Sequence, residues 1–338
     1  MKKILLLLIA AFAIALAAGS VIWNVQTTNH DTVLISIERG DTLSHKALEW
    51  QQAGWLPSAV LLKIQARLLN QQQVLRVGEY QLPPQLTGAE LLSFLASAKP
   101  VTYKLRFIEG TTLNDAFTVL NNARHLQQDV TPLNRNNVAN LLDITGNPEG
   151  WLYPDTYVYQ KGEKVSAILR QAHQRMQKQL TESWKTRAKN LPYKTPYDAL
   201  IMASIVEKET GAAYERPQIA GVFVRRLQKN MRLETDPTVI YGLGENFDGN
   251  LRRVHLRDPS NRHNTYRHKG LPPSPIAFAG KAAIEAALHP ADGDALFFVA
   301  KGDGSHYFSA TLAEHNKAVR KYQIYKRKKN YRSAPAAQ

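Results

Sequence analysis

Residues 195–211 read TPYDALIMASIVEKETG, a segment with the sequence signals of a buried helix and of both its ends. Thr195 suits the N-cap, the proline after it suits the first helical position, and Asp198 suits the return bond of a capping box. Residues 200–206 are apolar nearly all round, which is typical of a helix packed on every side. Gly211 is a natural stop. The segment therefore predicts a buried, well-defined helix.

Two glutamates, Glu207 and Glu209, stand at the end of this predicted helix. Successive helical residues turn by about 100°, so these two side chains point in nearly opposite directions and do not form a close pair. A carboxyl held against apolar walls has a raised pKa, and a protonated carboxyl is what cleavage of a glycosidic bond requires. Periodicity does not choose between the two, and on the helix alone ordinary ion pairs with Lys208, Arg216 or Arg225 remain the alternative.

The number of catalytic carboxyl groups distinguishes two reactions that such a site could catalyse. An ordinary glycoside hydrolase uses two carboxylates. A lytic transglycosylase needs only one, because the 6-hydroxyl of the sugar replaces water as the nucleophile and the same group acts first as acid and then as base. A two-carboxylate muramidase that uses water is therefore an alternative to a lytic transglycosylase.

The N-terminus predicts a membrane anchor. Lys2 and Lys3 precede an uncharged run from Ile4 to Trp23, which matches the length of a bilayer core. We expect residues 1–25 to form a cytoplasmic N-terminus and a single-pass transmembrane helix, with everything after Trp23 facing outward. A cleaved signal peptide, with residues 15–17 at the cleavage site, is the alternative.

Composition excludes several classes of site. The 338 residues include no cysteine, which rules out thiolate catalysis, disulfides and cysteine zinc sites. The histidines lack any metal-binding spacing such as H-E-x-x-H, and we expect no metal and no cofactor. The net charge of +15 favours an anionic partner, but no nucleic-acid reader motif accompanies it, so we expect no nucleic acid as partner.

The segment after the linker predicts a small module within residues 26–100. A strand over residues 32–37, a helix after Leu43, a helix over 58–69 and a returning strand over 77–82 follow in order. This βααβ order resembles the LysM-like module, and LysM modules bind cell-wall glycan. A plain α+β spacer is the alternative.

Residues 101–338 predict a mixed α+β catalytic domain with a basic C-terminal tail. Strands are expected over residues 101–108 and 296–300, the second pairing with residues 306–308, and helices over 112–120 and 164–180. The fold class predicted for the whole chain is α+β, with an N-terminal transmembrane helix, a LysM-like βααβ module and a mixed α+β catalytic domain.

Ordered motifs in this second part resemble one family. Residues 203–210, ASIVEKET, closely resemble the signature of the YceG-like (MltG) family of endolytic murein transglycosylases. Further segments match in order: EGWLYPDTY at 149–157, MRLETDPTVIYG at 231–242, NTY at 264–266, GLPPSPI at 270–276, AALHP at 286–290, FV at 298–299, HYF at 306–308 and HN at 315–316. Glu234, residues 261–263 and residues 277–280 depart from the family pattern.

The resemblance implies an activity, a location and a set of site residues. It places the predicted anchor in the bacterial inner membrane and the catalytic domain in the periplasm. It implies a lyase that cleaves nascent peptidoglycan strands between N-acetylmuramic acid and N-acetylglucosamine, leaves 1,6-anhydro ends and ends glycan elongation beside the synthases, the penicillin-binding proteins. It makes Glu207 catalytic and Glu209 a supporting residue. A non-catalytic wall-binding scaffold for those synthases is the alternative function. The candidate substrate contacts are Glu209, Asp236, Thr238, Tyr241, Asn264 and Tyr266.

Some of these contacts have a structural alternative. Thr235 or Asp236 can cap a helix that starts at this motif, and Thr238 and Tyr241 then serve for capping and packing. Asn264 and Tyr266 offer an amide and an aromatic face that suit an acetamido sugar. Alternatively, Asn264 and Tyr266 order their own loop and do not contact the substrate.

Overall fold

The computed structural model describes residues 2–24, 26–210 and 212–325. Its main helices and strands follow in the order α1 Lys2–Trp23, β1 Val33–Ile37, α2 Leu43–Gln52, α3 Ala59–Leu68, β2 Gly78–Leu82, α4 Gly88–Ser97, β3 Thr102–Arg106, α5 Leu113–Asn121, α6 Arg135–Leu141, β4 Thr156–Gln160, α7 Val165–Lys185, α8 Pro196–Glu209, α9 Arg216–Gln228, α10 Asp236–Leu243, α11 Arg253–Arg257, α12 Lys281–Leu288, β5 Phe297–Ala300, β6 His306–Ser309 and α13 Leu312–Val319. This is the mixed α+β class that the sequence predicted.

The chain divides into two compact units. One unit comprises residues 1–104, 124–127 and 158–164. The other comprises residues 105–123, 128–157 and 165–338. The second unit contains the candidate site residues.

The first unit contains the predicted βααβ order. Strand β1 pairs antiparallel with β2, in a register that sets Val33 opposite Leu82 and Ile37 opposite Gly78. The inward side chains of both strands, Ile35 and Tyr80 among them, join the apolar faces of α2, α3 and α4 in one core. The order β1–α2–α3–β2 confirms the pattern read from the sequence, while the LysM character of the module stays a prediction.

The N-terminal helix requires a correction. Helix α1 extends over 22 residues, as the uncharged run predicted. A helix that crosses the bilayer core needs about 20 consecutive, predominantly apolar residues. Among the residues that the structure describes, no helix meets the two requirements together. This finding contradicts the predicted transmembrane anchor, and with it the predicted single-pass inner-membrane location and periplasmic catalytic domain.

Helix α8 is the central element of the second unit. Thr195 caps it, and the capping box with Asp198 is complete, with Pro196 at the start of the helix. Every residue from Ala199 to Val206 is buried, because α7, α9, α10 and α12 all pack around the helix. The predicted helix is thereby confirmed, although its predicted stop, Gly211, lies outside the described residues. The structure places the end of α8 at Glu209.

A hairpin near the C-terminus completes the second unit. Strands β5 and β6 pair antiparallel, with Phe297 opposite Ser309 and Ala300 opposite His306, as the sequence predicted. Helix α13 follows and packs against both strands. The end of the predicted basic tail, residues 326–338, falls outside the described residues.

Candidate active site

Glu207 lies at the buried end of α8 and is held in place by two donors. Arg216 Nη2 donates to Glu207 Oε1 over 2.9 Å, and the backbone N–H of Gly280 donates to Oε2 over 2.9 Å. Only 4% of the Glu207 side chain and 11% of the Arg216 side chain are exposed. Both carboxylate oxygens therefore have partners, and the carboxylate is part of a buried ion pair.

The environment of Glu207 acts on its pKa in both directions. Burial raises the pKa of Glu207 above its ordinary value, and the nearby Glu109 carboxylate adds to the rise. The N–H of Gly280 and the Arg216 guanidinium oppose that rise without reversing it. An adjacent cation and a backbone donor both favour the charged form. A group whose ionised form is bonded in this way is poorly suited to release a proton to a substrate, since its two oxygens are already hydrogen-bond acceptors.

Glu209, two residues further, faces a different environment. The Thr235 hydroxyl donates to Glu209 Oε1, and Glu209 makes no ion pair with a described residue. Burial raises the pKa of Glu209 to about 7; the Thr235 hydroxyl opposes the rise and the Asp236 carboxylate adds to it. A carboxyl with a pKa near neutrality exchanges a proton readily at physiological pH, which is the property of a general acid.

Glu209 also lines a cavity whose wall does not include Glu207. The cavity has a volume of about 670 Å³. Its wall combines polar groups with aromatic and apolar side chains, the most relevant being Glu209, Thr235, Asp236, Tyr266, Phe298 and His306. This is the size and mixture expected of a ligand site. The end of α8 thus offers one carboxyl to an open cavity and buries the other in an ion pair.

The match to a family model extends over residues 35–321, most of the chain. The chain belongs to the YceG-like family. This membership confirms the resemblance found in the ordered motifs of the sequence.

Relatives and a solved structure agree with this membership. An endolytic murein transglycosylase of Bacillus subtilis is 39% identical over 175 residues, which are 52% of this chain and 48% of that protein. An enzyme of the same name from Streptococcus pneumoniae is 30% identical over 176 residues, 51% of this chain and 31% of that protein. The chain thus spans at most about half the length of these curated relatives. The crystal structure of a YceG-like protein from Listeria monocytogenes matches with a TM-score of 0.53 and 28% identity, covering 86% of this chain and 99% of that one.

Three of the predicted site residues of this YceG-like chain lie together at the cavity. Glu209, Asp236 and Tyr266 all line it, and the Tyr266 hydroxyl donates to Asp236 Oδ1 over 2.7 Å. Burial and the bonded Asp236 raise the pKa of Tyr266, so this hydroxyl stays a neutral donor. These three residues are brought together from α8, α10 and the loop before α12.

The other predicted contacts lie elsewhere. Thr238 is fully buried, and its hydroxyl donates to Thr235 O and bonds the Thr265 hydroxyl. Asn264 is fully buried, and its amide group holds the loop around it through three backbone carbonyls. Thr238 therefore stabilises the start of α10, and Asn264 orders its own loop. These are the structural roles that the sequence analysis gave as alternatives to substrate contact.

Tyr241 joins a separate buried network of the EGWLYPDTY segment. Its hydroxyl donates to Glu149 Oε2 over 3.2 Å, and Arg135 donates to the same oxygen over 3.0 Å. Glu149 is fully buried, and its other oxygen accepts from the N–H of Leu113 at the start of α5. The next residue, Gly150, has φ +80, and a side chain there would lie 2.5 Å from Pro275. This family motif therefore secures two loops rather than lining the cavity.

Sequence reasoning missed two contributors to the cavity. Thr235, one of two residues expected to cap α10, occupies the N-cap position but makes no side-chain capping bond and donates its hydroxyl to Glu209. His306 was named only as part of the HYF motif, yet it lines the cavity while its Nδ1 lies 2.7 Å from Glu215 Oε2. The only sequence signal for either residue was its place inside a family motif, because both partners are far away in the chain.

Proposed function

We propose that this YceG-like chain is an endolytic murein transglycosylase, a lyase that cleaves peptidoglycan glycan strands between N-acetylmuramic acid and N-acetylglucosamine. The observation that carries the proposal is the Glu209 carboxyl, which has a pKa of about 7 and opens to a cavity of about 670 Å³. The names of the Bacillus and Streptococcus relatives support the same activity.

In this proposal Glu209 serves both halves of the reaction. The protonated carboxyl gives its proton to the glycosidic oxygen, and the bond from that oxygen to C1 of N-acetylmuramic acid breaks. The 6-hydroxyl of the same sugar then attacks C1, and its proton passes to the Glu209 carboxylate. The products are a free 4-hydroxyl on N-acetylglucosamine and a 1,6-anhydro end, and the acid is restored without water.

The proposal differs from the family-based expectation in which of the two glutamates is the acid. The expectation that Glu207 is catalytic stays a prediction, but the geometry favours Glu209. Glu207 has both oxygens bonded and lines no part of the cavity, whereas Glu209 has one bonded partner and faces it. We assign Glu207 the role of a positioning residue that ties the end of α8 to α9 and to the loop at Gly280.

The test compares two isosteric variants of the full chain, Glu209→Gln and Glu207→Gln, on uncrosslinked glycan strands, with mass spectrometry of the new chain ends. We expect wild type to make 1,6-anhydro ends. Glu209→Gln should lower kcat by about a thousandfold, because that is the scale of rate lost with a general acid. The variant should remain folded. Glu207→Gln should retain activity within about tenfold, since the amide still accepts the Gly280 N–H. Glu234→Gln, another carboxylate at the cavity, is the matched control.

Each other outcome points to a different function. Loss of activity in Glu207→Gln alone would return the role of the acid to Glu207. Reducing ends in place of anhydro ends would indicate a hydrolase that uses two carboxylates and water. A folded wild type that cuts nothing and still binds glycan would favour the wall-binding scaffold.

We further propose that the substrate is the newly made strand and that peptidoglycan synthases are its partners. This part rests on the family resemblance alone. Its test is whether purified synthase and the full chain form a complex that survives gel filtration. Failure to associate at micromolar concentration would remove the synthases from the proposal and leave the reaction unaffected.

A further inference from the structure

Asp236 is the second carboxylate on the wall of the cavity that contains Glu209. It is the first residue of α10, its side chain is exposed, and its Oδ1 accepts the Tyr266 hydroxyl over 2.7 Å. Tyr266 is half-buried, so the donor is firmly placed while the acceptor remains open to the cavity. A single neutral donor fixes the direction of this carboxylate without neutralising its charge.

Asp236 and Glu209 are linked through one intervening residue. Thr235 directs its hydroxyl to Glu209, and the next residue along the chain is Asp236. The two carboxyl groups therefore line the same cavity, and the charge of Asp236 acts on Glu209. Desolvation raises the pKa of Glu209, whereas Asp236 is in an exposed, hydrogen-bonded position. Paired carboxyl groups in such different surroundings divide the work, with one kept as an acid and the other as an anion.

We propose that Asp236 is a catalytic residue of this site, an anion that Tyr266 holds toward the sugar to oppose the positive charge that develops at C1 as the glycosidic bond breaks. The inference rests on the proposed function and adds a second functional carboxylate to it. Asp236 gives and takes no proton, and forms no bond to the sugar. Its contribution is electrostatic, since fixed charges aimed at a developing charge stabilise the transition state more than the ground state.

A third carboxylate at the cavity provides a matched control. Glu234 also lines the cavity, but Arg226 Nη2 donates to its Oε2 in an ion pair that neutralises its charge. Its net charge toward a bound sugar is therefore small. The remaining ionisable groups of the cavity, Lys208, His306 and His315, are common to wild type and to both variants.

The experiment measures kcat and KM of the full chain between pH 5 and pH 9 for wild type, Asp236→Asn and Glu234→Gln on uncrosslinked glycan strands. Asp236→Asn should lower kcat by about a hundredfold, the scale of one lost electrostatic group, with little change in KM. It should also move the alkaline limb of the profile to lower pH by about one unit, because Glu209 loses a neighbouring negative charge. Glu234→Gln should match wild type in both respects.

A structural role for Asp236 makes a different prediction. Asp236 starts α10, so a purely structural role predicts a lower melting temperature with kcat of the folded variant unchanged. The shift of the alkaline limb reports only that Asp236 lies near Glu209, since its charge raises the pKa of Glu209 in either case. A kcat within about threefold of wild type at full folding would overturn the inference. Tyr266→Phe, which leaves the carboxylate and removes only its donor, gives a second test: we expect about a tenfold loss of kcat, and no loss would also count against the inference.

The inference and the proposed function fail in distinguishable ways. If wild type makes no anhydro ends, or Glu209→Gln keeps full activity, the proposed function is wrong. If wild type makes anhydro ends that depend on Glu209 while Asp236→Asn behaves like Glu234→Gln, only the role of Asp236 is wrong.

Discussion

The last turn of α8 has two faces that carry the same residue type in opposite situations. On one face Glu207 is bonded to Arg216 and to the backbone of Gly280. On the other face Glu209 accepts one hydroxyl and opens to a cavity. The difference teaches that desolvation raises the pKa of both carboxyls, but only the face without a cation leaves the proton available for chemistry.

The comparison also explains why two glutamates stand so close in the chain. The ion pair at Glu207 joins the end of α8 to the start of α9, which holds the last turn in place. Glu209 can then keep a fixed position against the cavity, since the helix on which it stands does not fray. In the proposed function, Glu207 supplies position and Glu209 supplies the proton.

The largest effect should come from breaking the ion pair. Arg216→Met leaves Glu207 as a buried charge without its cation, which we expect to lower the free energy of unfolding by about 3–5 kcal/mol. Chemical denaturation measures it, and Lys208→Met, which removes an exposed cation from the same turn, is the control. A loss below about 1 kcal/mol would mean that the pair does not secure the helix end.

A smaller effect should appear in the pH dependence of stability. The folded pKa of Glu209 lies near 7, above its ordinary value of 4.5, so the folded state binds more protons than the unfolded state between these values. Stability should therefore fall as pH rises from about 5 to about 8, by about 2 kcal/mol after allowance for partial solvation. Glu209→Gln should reduce this fall, and burial of Glu207 and Glu149, which raises the pKa of both carboxyls, accounts for the part that remains. A slope as steep in the variant as in wild type would place the titrating group elsewhere.

The smallest effect should come from the hydroxyl that contacts Glu209. Thr235→Val removes a donor that favours the charged carboxylate, so the pKa of Glu209 should rise further. The alkaline limb of kcat/KM should move upward by about half a unit, opposite in sign to the shift expected for Asp236→Asn. Thr238→Val, which removes a buried hydroxyl that does not touch Glu209, should leave the limb in place.

Much of the fold could be read from local signals. Thr195, Pro196 and Asp198 predicted the start of α8, and the structure contains the complete capping box. Alternating β-branched residues predicted β1, and its pairing with β2 follows from the order of elements. For α1 the same reasoning predicted the length of the helix correctly. Its prediction that this helix crosses a membrane was wrong, because no helix among the described residues is both long and apolar enough.

The site was only partly predictable. Glu209, Asp236 and Tyr266 were named from motifs, and they lie together at the cavity. Thr238 and Asn264 came from the same motifs, yet both are fully buried. Motif membership identifies residues that a family uses, but it does not separate a side chain that faces the ligand from one that holds the loop behind it.

The sequence by itself determined that α8 forms, that it is buried, and that Glu207 and Glu209 point in nearly opposite directions, because these follow from local propensity and helical period. Only the tertiary structure decided which carboxylate meets a cation and which meets a cavity. The deciding partners, Arg216, Thr235 and the backbone of Gly280, come from three other segments of the chain. Charge pairing and desolvation depend on distances in space, and local periodicity does not contain them.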